Sequence, residues 1–135
     1  MRRYGRLIAI ALVVGVALPL VGCPILVLKL CLINNSSLPI LEVNLSPATN
    51  PAWGANQLAA TLAAGQTTCL QGISPDTYDV RAVFESKVKS QKLLTEVVAF
   101  GIPMTNAHRN ITYTGATAAA LQYAVSAGYL KGEDL

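Results

Sequence analysis

Two kinds of hydrophobic pattern follow one another along the chain. Residues 7–18, LIAIALVVGVAL, form a twelve-residue apolar run that follows three arginines and ends at Pro19. From residue 28 onward, apolar and polar residues alternate in short stretches that end at Gly, Pro, Asn or Ser. An apolar run behind positive charges is typical of an export signal, whereas alternation with a period of two predicts β-strands. The sequence therefore predicts an N-terminal address followed by a β-rich domain.

Six stretches have the alternation or the β-branched composition of strands. The clearest begins at Tyr78 and ends at Glu85, with Tyr, Val, Ala and Phe at every second position. The six predicted strands span residues 28–33, 40–46, 67–73, 78–85, 93–100 and 110–114. Predicted breaks lie at Asn34–Ser37, at Ser74–Thr77, in the lysine-rich stretch 86–92 and at Gly101–Pro103. Even spacing and few helix signals predict an all-β fold, a single antiparallel β-sandwich.

The last twenty residues, ATAAALQYAVSAGYLKGEDL, fit two patterns. Their alanines, and the four-residue spacing of Leu121, Val125 and Tyr129, favour a helix. Leu121, Tyr123 and Val125 also alternate as a strand would. We expect a short C-terminal helix or a loose tail over residues 116–135, after a domain that spans residues 23–115.

Leu20-Val21-Gly22-Cys23 resembles the lipobox of bacterial lipoproteins. In that family the cysteine thiol is acylated and the chain is cut just before it. The resemblance implies that residues 1–22 are a helical signal peptide and that Cys23 carries diacylglycerol and palmitate-type acyl chains. It also implies a bacterial envelope location, with the membrane as partner through the lipid, at the outer membrane or periplasmic face rather than in the cytoplasm.

Two alternatives to the lipobox interpretation stay open. Residues 7–28 are long enough to span a bilayer as an uncleaved anchor if Pro19 and Gly22 are tolerated. An ordinary signal peptidase could instead cut nearby and leave Cys23 free. All three interpretations place the domain outside the cytoplasm.

The chain has three cysteines, an odd number for an exported protein. If Cys23 carries lipid, Cys31 and Cys69 remain as a pair in an oxidising compartment, and we expect a disulfide between them. In the chain-entropy model such a bridge contributes roughly 4 kcal/mol. The alternative is two buried free thiols.

Residues 62–82 resemble a two-strand pattern of immunoglobulin-like and prealbumin-like domains of bacterial surface proteins. The matching features are Leu62-Ala-Ala-Gly65, which follows "L-x-x-G", and Pro75-Asp-Thr-Tyr-Asp-Val80, which follows "P-G-x-Y-x-V". Asp76 replaces the usual glycine but also tolerates turn geometry. The resemblance implies an immunoglobulin-like fold and no particular activity.

Charge and candidate chemistry argue against most catalytic and nucleic-acid functions. Without residues 1–22 the chain has seven Lys or Arg against seven Asp or Glu, so no basic surface for nucleic acid is expected. The single histidine, His108, has no Asp or Glu within ten residues, and no G-x-S-x-G motif is present. Asp76 and Asp79 lack the further ligands of a calcium loop. We expect no catalytic residues, no metal and no cofactor.

Trp53, in the polar loop PATNPAWGANQ, is the strongest candidate for a binding residue. It has two interpretations: an exposed ring that stacks on a sugar, or a ring that folds over the open end of the sandwich. Tyr78 is expected to be a corner tyrosine whose hydroxyl bonds to the backbone at the preceding turn. The sequence predicts a non-enzymatic envelope lipoprotein that contacts another envelope protein. The alternative is a carbohydrate- or ligand-binding module that uses Trp53.

Overall fold

The computed structural model describes residues 27–128, in which the alternating stretches form seven strands. The strands are β1 (Leu28–Ser36), β2 (Ile40–Pro47), β3 (Thr67–Ile73), β4 (Asp76–Val88), β5 (Gln91–Met104), β6 (Arg109–Gly115) and β7 (Gln122–Ala127). One 3-10 turn covers Ala118–Ala120. Residues 1–26, which include the expected signal peptide and Cys23, and residues 129–135 lie outside the described residues.

The strands form two sheets that enclose one core. The four-stranded sheet has the order β3-β1-β6-β7, and the three-stranded sheet has the order β2-β4-β5. Apolar side chains at every second position of both sheets face inward and are almost fully buried, among them Leu30, Leu32, Val43, Val80, Phe84, Ile111 and Tyr113. The Phe84 and Tyr113 rings meet edge to face across the two sheets, with centroids 5.4 Å apart. The expectation of an all-β sandwich is confirmed.

The expectation of purely antiparallel pairing is wrong at one place. β1 and β6 run parallel, with Leu30 opposite Arg109 and Ser36 opposite Gly115. Side-chain alternation is the same in parallel and antiparallel strands, so the sequence pattern carries no information about relative direction. The direction is set by the path of the chain, which crosses to the three-stranded sheet and returns before β6 begins.

The helix or tail expected over residues 116–135 is not formed by residues 122–127. They form β7, which pairs antiparallel with β6, so that the sheet continues beyond the boundary expected at residue 115. The 3-10 turn at Ala118–Ala120 is the one helical piece among the described residues. β6 offers a free edge, and pairing with it gives the backbone N–H and C=O groups of residues 122–127 hydrogen-bond partners. This gain outweighs the helix preference of alanine.

Residues 86–92, expected to be a solvated connection, instead complete a tight hairpin. Val88 pairs with Gln91, so Lys89 and Ser90 alone make the turn, and both have positive φ angles of 49° and 67°. Positive φ at both central residues is the requirement of a type I′ turn, which usually contains Asn-Gly. Lys-Ser lacks that signal, so the sequence pattern does not predict the turn.

Substitution of the turn residues should stabilise the domain. The double variant Lys89→Asn/Ser90→Gly should raise the free energy of unfolding by about 1 kcal/mol, because both residues tolerate positive φ. Urea unfolding followed by Trp53 fluorescence measures the change. Lys87→Asn, at an exposed strand position nearby, is the matched control and should give no gain. An unfolding midpoint that stays level or falls in the double variant would contradict the turn assignment.

Gly101 and Pro103 were expected to end β5, but they lie inside it. Between the pairs Val80–Ala99 and Tyr78–Ile102 the register shifts by one residue, which is a β-bulge. Gly101 has φ +65°, a conformation that suits glycine, and its N–H donates to Oδ1 of Asp79 at 2.9 Å. Pro103 is tolerated because β5 lies at the edge of its sheet, where a missing N–H costs no ladder bond.

The sandwich has two distinct ends. β1 begins at Leu28 at one end, which we call the N-terminal end, and reaches the other end at Ser36. There residues 37–39 lead into Ile40, which pairs with Phe84, and the N–H of Glu85 donates to the Pro39 carbonyl. β4 and β5 continue past this point as the projecting hairpin (residues 87–94), in which every residue is exposed. The projecting hairpin therefore extends away from the N-terminal end.

Candidate functional site

Cys31 and Cys69 form a disulfide, as expected. They are directly opposite each other in the β1–β3 pair, and the core positions of β1 lie to either side of Cys31. The bridge therefore lies on the outer face of the four-stranded sheet and joins adjacent strands of that sheet. In antibody domains the disulfide instead joins the two sheets.

Trp53 lies in the edge loop (residues 48–66), which runs along the outer edge of β2. The N–H of Gly54 donates to Leu45, and the N–H of Gln57 donates to Val43. These bonds hold the loop against the three-stranded sheet. The Trp53 indole then lies over the guanidinium of Arg81, 5.3 Å from ring centroid to Cζ, and is 42% exposed.

The structure therefore places Trp53 outside the core and in contact with Arg81. Arg81 alternates with buried Val80 and Ala82, so its side chain points to the outer face of the three-stranded sheet. Contact with Arg81 places the indole on that face rather than over an open end. A cation–π contact of this exposed kind contributes about 0.5–1 kcal/mol.

Arg81 is the centre of a polar cluster on this outer face. Its Nε and one terminal nitrogen both donate to Oδ1 of Asn44, at 3.0 and 2.9 Å. Ion pairs extend to Glu42 at 3.7 Å and to Glu96 at 3.6 Å. Asn44 also donates to Glu42 and to the Gly54 carbonyl, which ties the cluster to the edge loop. The cluster thus holds Trp53 half-exposed beside planar polar groups.

The expectation for Tyr78 is confirmed. Its hydroxyl donates to the Ser74 carbonyl at 2.7 Å, four residues upstream, as in a tyrosine corner. Burial raises the pKa of the Tyr78 phenol, and the nearby Asp76 carboxylate raises it further. The hydroxyl therefore stays protonated and remains a donor. It closes the turn between β3 and β4 and has a structural role.

A pair of tyrosine variants tests the value of this corner. Tyr78→Phe should cost about 1 kcal/mol of unfolding free energy, because the Ser74 carbonyl loses its partner. Tyr113→Phe is the matched control: its buried hydroxyl has no hydrogen-bond partner among residues 27–128, so its removal should be neutral or stabilising. Thermal unfolding of the two variants measures the difference. A larger loss in Tyr113→Phe than in Tyr78→Phe would contradict this assignment.

His108 lies at the N-terminal end of the sandwich, in the connection between β5 and β6. Its Nδ1 accepts a hydrogen bond from the Lys29 N–H at 2.9 Å, which ties this connection to β1. Among residues 27–128, no group of three or more His, Cys, Asp or Glu side chains lies together. The described geometry therefore assigns His108 a contact that holds two elements together.

Asp76 and Asp79 are both engaged by neighbouring groups. The Thr49 hydroxyl donates to Asp76, and this bond lowers the pKa of that carboxyl. Asp79 accepts the Gly101 N–H at the bulge. The two carboxylates thus fix the edge loop and β5 to β4.

Two further features of the described residues bear on function. A groove between residues 57–62 and β3 is lined by alanine, leucine, threonine and glutamine side chains and contains no charged group. No helix within residues 27–128 is long and apolar enough to cross a membrane. The described lining of the groove is therefore apolar and neutral polar.

Sequence reasoning missed the exposed apolar side chains of the β4–β5 hairpin. Val88 is 51% exposed, Leu93 46%, Leu94 59% and, further along β5, Phe100 70%. Leu93 and Leu94 are adjacent, so they point to opposite faces of the strand. Two adjacent leucines in one strand could have indicated exposure, because only one of them can face the core.

Comparison with known proteins gives the fold alone. No protein-family profile and no curated protein matches the chain. Among solved structures, the chain is similar to a protein from Eubacterium rectale determined by NMR, with a TM-score of 0.53, 12% identity, and coverage of 78% of this chain and 93% of that one. It is also similar to the cytotoxin suilysin from Streptococcus suis (TM-score 0.48, 14% identity, 78% of this chain) and to the human-specific toxin intermedilysin (0.49, 14%, 76%). The match spans 24% of each toxin.

Proposed function

We propose that this chain is a non-enzymatic lipoprotein of the bacterial envelope whose sandwich domain acts by binding another protein. The observation that carries the proposal is the projecting hairpin, with Val88, Leu93 and Leu94 exposed beyond the core. Apolar side chains grouped on one protrusion are typical of interaction surfaces.

The cysteine pairing supports a lipid anchor at Cys23. The Cys31–Cys69 bridge uses two of the three cysteines and requires an oxidising compartment. Cys23 is then the remaining thiol, and it stands at the lipobox position. A lipid on Cys23 would lie five residues before Leu28, so the spacer spans at most about 18 Å. The N-terminal end would face the bilayer, and the projecting hairpin would point away from it.

Two measurements test the anchor and the binding surface separately. The intact mass of the membrane-extracted protein should equal residues 23–135 plus acyl groups, and Cys23→Ala should remove the protein from the membrane fraction. A photo-crosslinking amino acid at Val88 should give a discrete protein adduct in cells. The matched position is exposed Asn50, near the N-terminal end, which should give none. Equal adducts at both positions, or none at Val88, would reject the hairpin as the binding surface.

We also assign the sandwich to the immunoglobulin-like or prealbumin-like class. The tyrosine corner at Tyr78 and the division into four and three strands support this assignment. The disulfide within one sheet and the parallel β1–β6 pair are departures from the antibody arrangement. An experimental structure with its strand order tests the assignment, and a connectivity outside that class would overturn it.

Carbohydrate binding at Trp53 is the second candidate function. A half-exposed indole beside Arg81, Asn44 and Glu42 combines a stacking surface with planar polar groups. Trp53→Ala should abolish retention on envelope glycans while lowering the unfolding free energy by only about 1 kcal/mol. Trp53→Phe, which keeps an aromatic ring, should retain part of the binding. Unchanged retention in Trp53→Ala would reject this candidate.

A further inference from the structure

The three-stranded sheet has one closed edge and one open edge. The edge loop covers β2: the N–H groups of Gly54 and Gln57 donate to it, Oδ1 of Asn56 accepts the Val43 N–H, and Leu62 pairs with Ile40. At the other edge, within residues 27–128, no strand or loop pairs with the outer side of β5. An unpaired strand edge is a template for the addition of another strand.

The tight turn determines which residues of β5 face the open edge. In a two-residue hairpin the flanking pair, here Val88–Gln91, is hydrogen-bonded, and bonded pairs then recur at every second position. Residues 93, 95 and 97 therefore direct their backbone groups toward β4. Lys92, Leu94, Glu96 and Val98 direct theirs outward, and their side chains share the outer face of the sheet with Arg81 and Glu85.

We propose that the open edge of β5 pairs with the same edge of a second copy, antiparallel, about a two-fold axis at Leu94. This inference rests on the proposed binding role of the hairpin and names its partner. In this register Leu94 is opposite Leu94 of the second copy, and Lys92 is opposite Glu96 in both directions. All three are outward-facing positions, so each pair exchanges two backbone hydrogen bonds.

The charges of β5 favour this register over those whose axis lies two or more residues away. Moving the axis two residues along the strand puts Glu96 against Glu96 or Lys92 against Lys92, and like charges directly opposite are destabilising. With the axis at Val98, Glu96 faces the apolar Phe100 and the pairing runs into the bulge at Gly101. The register at Leu94 is free of these conflicts.

Ion pairs within each copy continue the charge complementarity across the interface between the two β5 strands. Lys92 lies 3.5 Å from Glu85 on β4, and Glu96 lies 3.6 Å from Arg81. Pairing at Leu94 places Lys92 of one copy beside Glu96 of the other. The outer face would then carry a row of charged side chains of alternating sign. Glu85 and Lys92 of one copy come first, followed by Glu96 and Arg81 of the other.

Cysteine cross-linking of the full chain in mild detergent tests the register. Leu94→Cys should form a disulfide-linked dimer on mild oxidation, because the two Leu94 positions are opposite each other. Phe100→Cys is the matched control: it is more exposed, at 70%, but lies six residues from the axis, beyond the point where β5 of the second copy begins, and should not cross-link to itself. Equal cross-linking of the two variants would overturn the register.

Charge reversal tests the recognition. In the Leu94→Cys background, Lys92→Glu or Glu96→Lys should lower the yield of dimer by at least about tenfold, because each places like charges opposite one another. The double reversal Lys92→Glu/Glu96→Lys should restore it. The double variant loses both intrachain pairs, to Glu85 and to Arg81, so restored cross-linking cannot arise from a better-folded monomer. Failure of the double variant to recover overturns the proposal.

Failure of the dimer proposal can be distinguished from failure of the proposed binding function. A photo-crosslink at Val88 in cells to a different protein, without dimer in detergent, would keep the binding role and reject the second copy. Absence of both would reject the binding role itself. A dimer that follows the charge pattern supports both.

Discussion

Replacement of Asn34 by alanine should cost the domain about 3–4 kcal/mol, because Asn34 is a fully buried amide that satisfies several backbone groups at once. Its Nδ2 donates to the carbonyls of Leu38, Leu62 and Ala63 at 2.9, 3.0 and 3.2 Å. Its Oδ1 accepts from the backbone and the hydroxyl of Ser36. Alanine removes all of these partners and leaves carbonyls at this end of the sandwich without donors.

The adjacent residue provides the matched control. Asn35 is exposed in the same strand, so Asn35→Ala should change the unfolding free energy by less than about 0.5 kcal/mol. Urea unfolding of the two variants compares their unfolding free energies directly. In thermal unfolding, the midpoint temperature of Asn34→Ala should fall by roughly 15 °C. Similar stability of the two variants would show that the 37–39 connection and the edge loop do not depend on this amide.

Removal of the disulfide should have an effect of similar size. The bridge joins residues 38 positions apart, and the chain-entropy model gives about 4 kcal/mol for a loop of this length. The double variant Cys31→Ala/Cys69→Ala should therefore show a much lower urea midpoint, and a reducing agent should move the wild-type protein in the same direction.

Cys23→Ala separates the disulfide from the proposed lipid attachment. It leaves the bridge intact, so the domain should keep its unfolding free energy while the protein leaves the membrane fraction. A Cys31→Ala/Cys69→Ala protein as stable as wild type would contradict this contribution of the bridge.

Short-range patterns predicted most of the strands, and the reasons differ from place to place. β3 has the predicted bounds, Thr67–Ile73, because glycine and proline turns flank a β-branched stretch. β1 extends three residues beyond its predicted end at Ile33, because Asn34 to Ser36 continue the pairing with β6. The polar run predicts a turn there, whereas burial of Asn34 depends on carbonyls supplied by a loop about thirty residues away.

The features of the candidate site likewise divide into those that the local sequence predicts and those that depend on the path of the whole chain. The cysteine pair and the tyrosine corner follow from local chemistry and chain context, so the sequence predicted both. The contact of Trp53 with Arg81 depends on the path of the edge loop along β2, which no short motif encodes. The open edge of β5 is a property of sheet order, and sheet order follows from the whole chain path rather than from the residues of β5.

The two proposals together constrain how copies meet. Each copy has its N-terminal end and its projecting hairpin at opposite ends, and antiparallel pairing at Leu94 turns the two N-terminal ends away from each other. Lipids on both Cys23 residues would then lie at opposite ends of the dimer. Such a dimer would connect two facing membranes, and copies in one membrane would be kept apart. Mixing of vesicles that carry the full-length protein should therefore produce clusters that Lys92→Glu disperses.

The covered edge of β2 determines how large any assembly built on this sheet can become. Both edges of an unprotected sheet accept strands, and association then continues without limit into fibres. Here the edge loop bonds to the backbone of β2, so the three-stranded sheet can accept an added strand at one edge, along β5. Pairing through β5 joins two sheets into one of six strands whose outer edges are both covered. The closed edge thus gives this sheet a fixed stoichiometry of two.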